Sequence, residues 1–399
     1  MRNAISILLL LSLAGILAAG QSGKQTVRSG PDLKLPFSPA VKAGGLIYLS
    51  GALATDANGN MTGGDIRAQT RKVLDNLAAV LRAAGSRVEN VVSVTVFLKH
   101  AGDFPAMNEV YRGYWPKDPP VRTTVVANLA RPEALIEISM IAVPAGGERR
   151  VLHPADWVKS PNPYSYGIRS GDTLFLSGLI SRSGRDNSMV PGDIKAQTKT
   201  VMDNAGDILK AAGMTYAEVA SARVYITDTA MFQDMNAVYR SYFPKDPPAR
   251  ATVKAALMNS EALVEITLLA VKGGVREAVV TPNADGSPGQ PNPNLSSAIR
   301  IGNRLFLSGM LGNEAGNRGD ARGQTRTTLA RIARTLKAAG FGWNDVVEGT
   351  VYLTDMQNYG AMNEAYREVF AADFPARVTA ETGLVSPDGL VEIMFTAVK

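Results

Sequence analysis

The chain of 399 residues contains no cysteine. Disulfides, thiolate nucleophiles and cysteine-ligated zinc or iron–sulfur sites are therefore excluded. Histidine is nearly missing too, since His100 and His153 are the only two, too few for a metal site in each part of a repetitive chain. Basic residues exceed acidic ones by 42 to 36, but they occur in pairs at most, such as Arg71-Lys72. Proteins that bind nucleic acids concentrate their charge, so we expect a mildly basic solvated surface and no nucleic-acid partner.

Long hydrophobic runs are missing after residue 17. Residues 1–20 combine the basic start Met1-Arg2-Asn3, an apolar run from Ile5 to Leu17 and the small residues Ala18-Ala19-Gly20. This pattern predicts a signal peptide of the Sec type, with an uncleaved anchor as the alternative. The run is shorter than the roughly 20 residues that a membrane-spanning helix needs. We therefore expect an exported protein, periplasmic or secreted, without stable membrane association after cleavage.

A threefold repeat is the main feature of the remaining chain. An arginine and a glutamate stand 15 residues apart in every copy, between residues that vary freely. The arginine lies in the stretches Pro119-Pro120-Val121-Arg122-Thr123-Thr124-Val125, Pro247-Pro248-Ala249-Arg250-Ala251-Thr252-Val253 and Phe374-Pro375-Ala376-Arg377-Val378-Thr379-Ala380. The glutamates are Glu137, Glu265 and Glu392. The repeats span residues 35–144, 161–272 and 291–399.

Each repeat has the pattern of a ββαβαββ unit. In the first, Gly44-Gly45 precedes an apolar strand from Leu46, and Asp65 is placed to cap a helix whose apolar residues recur at helical spacing. The α+β pattern predicts helices on one face of a mostly antiparallel sheet, whose other face needs a partner. Three sheets closing around a pseudo-threefold axis would supply it within one chain. The segments from Gly146-Gly147 and Gly273-Gly274 are expected to be flexible linkers.

The combined motifs resemble the Rid family, the enamine/imine deaminases also called YjgF-like or L-PSP proteins. They are Ser-Gly after a hairpin, Asp-Ile-x-Ala-Gln-Thr, Met-Asn-x-x-Tyr-Arg, Pro-x-Arg-x-Thr and Val-Glu-Ile. The resemblance implies a chorismate-mutase-like trimer, here an intramolecular pseudotrimer and thus a monomer, with a central sheet barrel, outer helices and ligand clefts between units. The implied activity is hydrolysis of reactive 2-imino acids to 2-oxo acids and ammonia, without cofactor or metal.

The resemblance also implies roles for individual residues. The arginines would bind the substrate carboxylate bidentately, and the glutamates would hold or polarise the attacking water. The predicted substrate-binding residues that occur in all three repeats are Ser50, Gly51, Asn108, Thr124, Ser177, Gly178, Asn236, Thr252, Ser308, Gly309, Asn363 and Thr379. The family's tyrosine, thirteen residues before the motif serine, corresponds to Phe37, Tyr164 and Leu295. If its hydroxyl helps to bind substrate or water, Tyr164 would mark the best-equipped cleft. Because clefts combine two units, the sequence leaves open which pairing this affects.

Several alternatives stay open at this point. Arg122 and Glu137 could form an ion pair between adjacent strands without any chemistry. Tyr111-Arg112 and its counterparts are interpreted as helix packing plus a surface charge. The clefts could also bind small carboxylates without turnover. RNA cleavage is an activity attached to L-PSP names. The sequence shows no basic stripe, no aromatic stacking platform and no histidine pair that would support it.

Overall fold

The structure, a computed structural model, describes residues 23–370 and 372–399. The predicted signal peptide therefore lies outside the described residues. Within the described residues no helix has the length and apolar character needed to cross a membrane.

Three successive units carry the same main order of elements, and the first strand of each unit lies before the predicted start of its repeat. Repeat 1 contains β1 (Gln25–Val27), β2 (Ala40–Ala43), β3 (Leu46–Ala52), α1 (Ile66–Ala83), β4 (Val91–Leu98), α2 (Phe104–Tyr114), β5 (Val121–Val126), β6 (Asn128–Leu129) and β7 (Ile136–Ala142). Repeat 2 contains β8 (Arg150–Leu152), β9 (Gly167–Ser170), β10 (Thr173–Leu176), α3 (Ile194–Ala211), β11 (Val219–Ile226), α4 (Phe232–Tyr239), β12 (Ala249–Lys254) and β13 (Val264–Val271). Repeat 3 contains β14 (Arg276–Val279), β15 (Ala298–Ile301), β16 (Arg304–Leu307), β17 (Met310–Leu311), α5 (Ala321–Ala338), β18 (Val346–Leu353), α6 (Tyr359–Val369), β19 (Ala376–Glu381), β20 (Gly383–Leu384) and β21 (Val391–Val398).

The long helices begin where the sequence places an N-cap. The Asp65 carboxylate accepts a hydrogen bond from the Ala68 amide at 2.9 Å, and Asp193 does the same for Ala196 in repeat 2. Such a cap satisfies one of the free amides of the first helical turn. Each long helix then packs an apolar face on the sheet of its own repeat, as the spacing predicts.

The sheets share one topology. In repeat 1 the strand order is β1-β2-β3-β7-β4-β5, with β4 and β5 parallel and the other neighbours antiparallel. The predicted hairpin at Gly44-Gly45 joins β2 to β3. Repeats 2 and 3 repeat this order, so that β12 and β19 occupy the place of β5.

The segments predicted to be flexible linkers contain edge strands. β8 pairs with β9, and β14 pairs with β15, both antiparallel. Arginines fix the same segments: Arg149 donates to the carbonyl oxygens of Val91 and Asp118, and Arg276 does so to Val219 and Asp246. The linker interpretation is therefore wrong for these segments, because backbone pairing and guanidinium hydrogen bonds hold them.

The face of each sheet that lies opposite the helices packs on the other repeats. One apolar cluster contains buried residues of all three repeats, among them Phe97, Tyr225 and Tyr352. The Tyr225 and Tyr352 hydroxyls lie 3.1 Å apart across the contact of repeats 2 and 3. The predicted partner of each open sheet face is therefore the other repeats of the same chain.

Short strand pairings at the sheet edges link the repeats in cyclic order, from 1 to 2, from 2 to 3 and from 3 to 1. Val125 on β5 forms a bridge with Leu257 of repeat 2, β12 pairs with β20 of repeat 3, and β19 pairs with β6 of repeat 1. Each repeat thus contacts both others. Strand pairing in the described residues yields three separate sheets, however, so the predicted closed barrel stays a prediction.

Candidate active site

The three arginines lie between repeats. Their side chains are almost fully buried, with exposed fractions of 4% for Arg122, 1% for Arg250 and 3% for Arg377. Each arginine contacts residues of the following repeat, in the order 1 to 2, 2 to 3 and 3 to 1. We name the three sites the Arg122 cleft, the Arg250 cleft and the Arg377 cleft.

Each cleft takes its glutamate from the other repeat. Glu265 of repeat 2 faces the Arg122 cleft, because its Oε1 accepts a hydrogen bond from the Thr124 amide at 3.4 Å. By the same order, Glu392 belongs to the Arg250 cleft and Glu137 to the Arg377 cleft. The conserved spacing of 15 residues therefore separates residues that serve two different clefts.

The strand order excludes the ion-pair alternative within one repeat. Arg122 is on β5 and Glu137 is on β7, and β4 lies between these two strands. Arg122 is paired with Val94 of β4, and Glu137 with Phe97, three residues further along. Two strand spacings of about 4.8 Å already place the backbones roughly 10 Å apart. The interpretation of Arg122 and Glu137 as an adjacent-strand pair is therefore wrong.

The serines of the Ser-Gly motif position the arginines. The Ser177 hydroxyl accepts a hydrogen bond from the Arg122 amide at 2.9 Å and donates to the Ser165 carbonyl oxygen at 2.7 Å. Ser308 and Ser50 make the equivalent bonds to Arg250 and Arg377. A hydroxyl has a single proton to donate. These serines therefore fix the arginine backbone, and their predicted substrate-binding role stays a prediction.

The glycines of the same motif make room for the glutamates. A Cβ atom at Gly51, Gly178 or Gly309 would overlap the Oε1 atom of Glu137, Glu265 or Glu392, respectively. This close approach explains why every repeat has glycine there. Burial raises the pKa of all three glutamates from 4.5 to about 8, opposed by the facing arginine. These carboxyl groups therefore hold a proton at neutral pH.

Aromatic rings form the floor below each guanidinium. The Cζ atom of Arg122 lies 4.7 Å from the ring centre of Tyr111 and 5.4 Å from that of Phe104. Tyr239 and Tyr366 lie at 4.6 and 4.7 Å below the other two arginines. The predicted helix packing of these tyrosines is confirmed, since all three are fully buried in the apolar clusters. Their contact with the arginines was not predicted. Their constant separation of 11 residues from the arginine was the available signal.

The predicted asparagines differ in what they contact. Asn236 Oδ1 accepts a 2.6 Å hydrogen bond from Arg250, whereas Asn108 Nδ2 donates over 3.4 Å to Asn162 Oδ1. Asn363 Oδ1 is buried without a partner in the described residues. The three predicted threonines are buried, and Thr252 Oγ1 also lacks a described partner.

The variable aromatic position can now be assigned to its clefts. Tyr164 lines a cavity of about 130 Å³ together with Arg122, Thr124, Gly178 and Glu265. The ring centre of Phe37 lies 5.4 Å from the Cζ atom of Arg377. Leu295 precedes Ser296, whose hydroxyl donates to the Pro247 carbonyl oxygen near the Arg250 cleft. The tyrosine therefore belongs to the Arg122 cleft, the pairing that the sequence left open.

The other two clefts contain buried polar atoms without a partner in the described residues. In the Arg250 cleft, Nε and Nη1 of Arg250 are buried without a partner in the described residues, and Nη2 is occupied by Asn236. The Oε2 atoms of Glu392 and Glu137 are likewise buried and unpartnered. Glu265 instead borders the cavity of the Arg122 cleft. At the Arg122 cleft, a cavity is thus bordered by both the arginine and the glutamate.

Known proteins match single repeats of this chain. A "RutC family protein" of Sulfurisphaera tokodaii is 46% identical over 115 residues, covering 29% of this chain and 92% of its own length. The "3-aminoacrylate deaminase RutC" of Acinetobacter baylyi is 41% identical over 108 residues, covering 27% of this chain and 86% of its own.

A solved chorismatase structure, 18% identical, covers 78% of this chain and 93% of its own with a TM-score of 0.51. This likeness extends over more than two repeats and shows the fold alone. The family model "Endoribonuclease L-PSP" matches three times, at residues 28–144, 156–272 and 288–399. These three matches take up most of the sequence and coincide with the repeats that form the clefts; the chain therefore belongs to the L-PSP family.

Proposed function

We propose that this protein is a deaminase that hydrolyses 2-imino acids at the Arg122 cleft. The observation that carries the proposal is the cavity in which a buried arginine faces a buried, protonated glutamate from the next repeat. A buried guanidinium binds a carboxylate strongly, and a carboxyl group with a pKa of about 8 can both donate and accept a proton near neutral pH. The family's deaminase member supports the same class of reaction.

The reaction follows from these two groups. Arg122 would hold the substrate carboxylate, with its aromatic floor excluding water from the guanidinium. Glu265 would donate its proton to the imine nitrogen, making the carbon more electrophilic, and its carboxylate would then accept a proton from the attacking water. Collapse of the addition product releases ammonia and leaves a 2-oxo acid. The hydrolysis is not a redox reaction, so the protein only has to position and polarise the reactants.

The clefts offer matched controls for a direct test. We expect Glu265→Gln to lower the rate of ammonia release from freshly generated 2-iminopropanoate by about 100-fold or more, the size typical of lost acid–base catalysis. Glu137→Gln and Glu392→Gln remove the same group from the other two clefts and should retain most activity. Gln cannot transfer the proton, yet it keeps the size of the side chain.

Two results would contradict this proposal. Wild-type rates no faster than buffer would remove the deaminase function, and calorimetry with 2-oxo acids would then show whether the clefts bind carboxylates without turnover. Equal losses in all three Gln variants would show that the Arg122 cleft is not the main site. Ribonuclease activity gains no support, since neither His100 nor His153 borders the cavity.

We also propose an exported pseudotrimer of one chain, with the three sheets around a pseudo-threefold axis. The cyclic order of the edge pairings and the shared apolar cluster support the arrangement, and the composition of residues 1–20 supports export. The mature protein should have the mass of one chain in light scattering and an N-terminus near residue 21. Recovery of uncleaved protein from the cytoplasm would contradict export.

A further inference from the structure

A second guanidinium borders the cavity of the Arg122 cleft. Arg182 of repeat 2 lines the same 130 Å³ space as Arg122 and Glu265. Its backbone is bridged to Met189, and Asn204 donates a 2.6 Å hydrogen bond to its carbonyl oxygen. Arg182 is therefore fixed in the wall of the cavity by its own repeat.

Among the described residues, most hydrogen-bond donors of the Arg182 side chain have no protein partner. Nη1 donates to the Asn187 carbonyl oxygen at 2.7 Å, which uses one of the five N–H groups of a guanidinium. The ion pairs of residues 23–370 and 372–399 do not include Arg182. An arginine without a carboxylate partner at the edge of a cavity can bind an anion that enters it.

The charges around the cavity are unbalanced at neutral pH. Arg122 and Arg182 are positive, whereas the raised pKa of Glu265, about 8, leaves that group mostly protonated at pH 7. A ligand with two negative groups would place one on each guanidinium. The cavity has room for several water molecules or for a small organic acid.

The second arginine is specific to this cleft. Five residues after the motif serine, repeat 2 has Arg182, whereas repeat 1 has Thr55 and repeat 3 has Asn313. Asn313 is engaged within its own repeat, because its Nδ2 donates to Ser386 Oγ at 2.9 Å. The difference therefore distinguishes one cleft from the other two.

We propose that the Arg122 cleft selects dicarboxylic acids, one carboxylate on Arg122 and the other on Arg182. As a substrate class this rests on the proposed function and names dicarboxylic 2-imino acids. Hydrolysis adds one water across the C=N bond, releases ammonia and leaves a 2-oxo dicarboxylic acid, so no oxidant or reductant is needed. Selective binding of the acids does not depend on turnover.

Calorimetry with stable 2-oxo acids tests the selectivity. We expect 2-oxobutanedioate or 2-oxopentanedioate to bind the full chain at one site per molecule, at least tenfold more tightly than 2-oxopropanoate. Arg182→Gln should weaken dicarboxylate binding by about 10- to 100-fold, the effect of a lost charge-assisted hydrogen bond, and leave 2-oxopropanoate unchanged. Arg185→Gln removes an exposed charge outside the cavity and should bind like the wild type.

The same variants, assayed with the corresponding imino acids, separate this inference from the deaminase proposal. Selective binding that Arg182→Gln abolishes, without ammonia release, would uphold the inference and remove the deaminase. Turnover of 2-iminopropanoate with equal binding of mono- and dicarboxylic acids, unaffected by Arg182→Gln, would overturn the inference and keep the deaminase. If none of these acids bound and no ammonia were released, both would be overturned.

Discussion

The buried glutamates of the clefts connect local chemistry with stability. Glu137, Glu265 and Glu392 are 2–6% exposed, and desolvation is the largest cause of their raised pKa. The native carboxyl groups keep their protons up to about pH 8, whereas in the unfolded chain they titrate near 4.5. Between these values the native state binds more protons than the unfolded state. The free energy of unfolding should therefore fall as the pH rises from about 4.5 to 8.

We predict that Glu265→Gln makes this decline smaller. One unit of pKa shift corresponds to about 1.4 kcal/mol, so each glutamate contributes on the order of 5 kcal/mol across the window. Urea unfolding at pH 5 and pH 8.5 measures the difference, and the exposed Glu133→Gln is the control that should behave like the wild type. The same slope in all three proteins would mean that Glu265 titrates normally.

The sequence could predict the cleft residues but not their partnerships. Arg122 and Glu137 were recognisable because their spacing recurs while their neighbours vary. Spacing reports separation along the chain, however, and the partner of Arg122 is Glu265, which lies 143 residues further on. Arg182 was missed because it occurs in one repeat, so no recurrence points to it.

At the scale of secondary-structure elements, the helices could be predicted from the sequence better than the edge strands of the sheets. Helix α1 could be predicted from the cap at Asp65 and its apolar spacing because both signals are local. The strands β8 and β14 have three and four residues and form by pairing with a neighbouring hairpin. Segments this short contain too few residues to show the alternating hydrophobic pattern by which strands are recognised in a sequence.

Comparison of the helices yields a stability prediction. Gly206 stands inside α3 where the equivalent helix positions of the other repeats have Ala78 and Ala333. A Cβ atom there would meet the Tyr216 ring at 3.5 Å, an ordinary contact. We expect Gly206→Ala to stabilise the protein by about 0.5–1 kcal/mol, because alanine loses less backbone entropy on folding. Thermal unfolding measures this, and a lower melting temperature would show that Tyr216 cannot accommodate the methyl group.

At the scale of the whole molecule, fusion allows contacts that three identical chains could not make. Arg223 of repeat 2 and Glu348 of repeat 3 form an ion pair at 2.9 Å, with side chains 23% and 17% exposed. The equivalent positions of repeat 1 have Thr95 and Ser93. This pair of opposite charges occurs at one of the three contacts between repeats and therefore favours one order of the repeats.

A double-mutant cycle tests this contact. Arg223→Thr and Glu348→Ser each leave one partly buried charge and should destabilise the protein by about 1–3 kcal/mol, between the values for exposed and fully buried pairs. The double variant reproduces the residues of repeat 1 and should be more stable than the sum of the single effects predicts. Strict additivity in urea unfolding would show that the two charges do not interact.

Because every cleft is divided between two repeats, the loss of one repeat during evolution would affect more than one cleft. Each repeat gives its arginine to one cleft and its glutamate to another. A recombination event that deleted repeat 2 would therefore break two clefts and spare only that of Arg377 and Glu137. Loss of one third of the gene would thus remove two thirds of its pockets, which ties the three copies to a shared evolutionary fate.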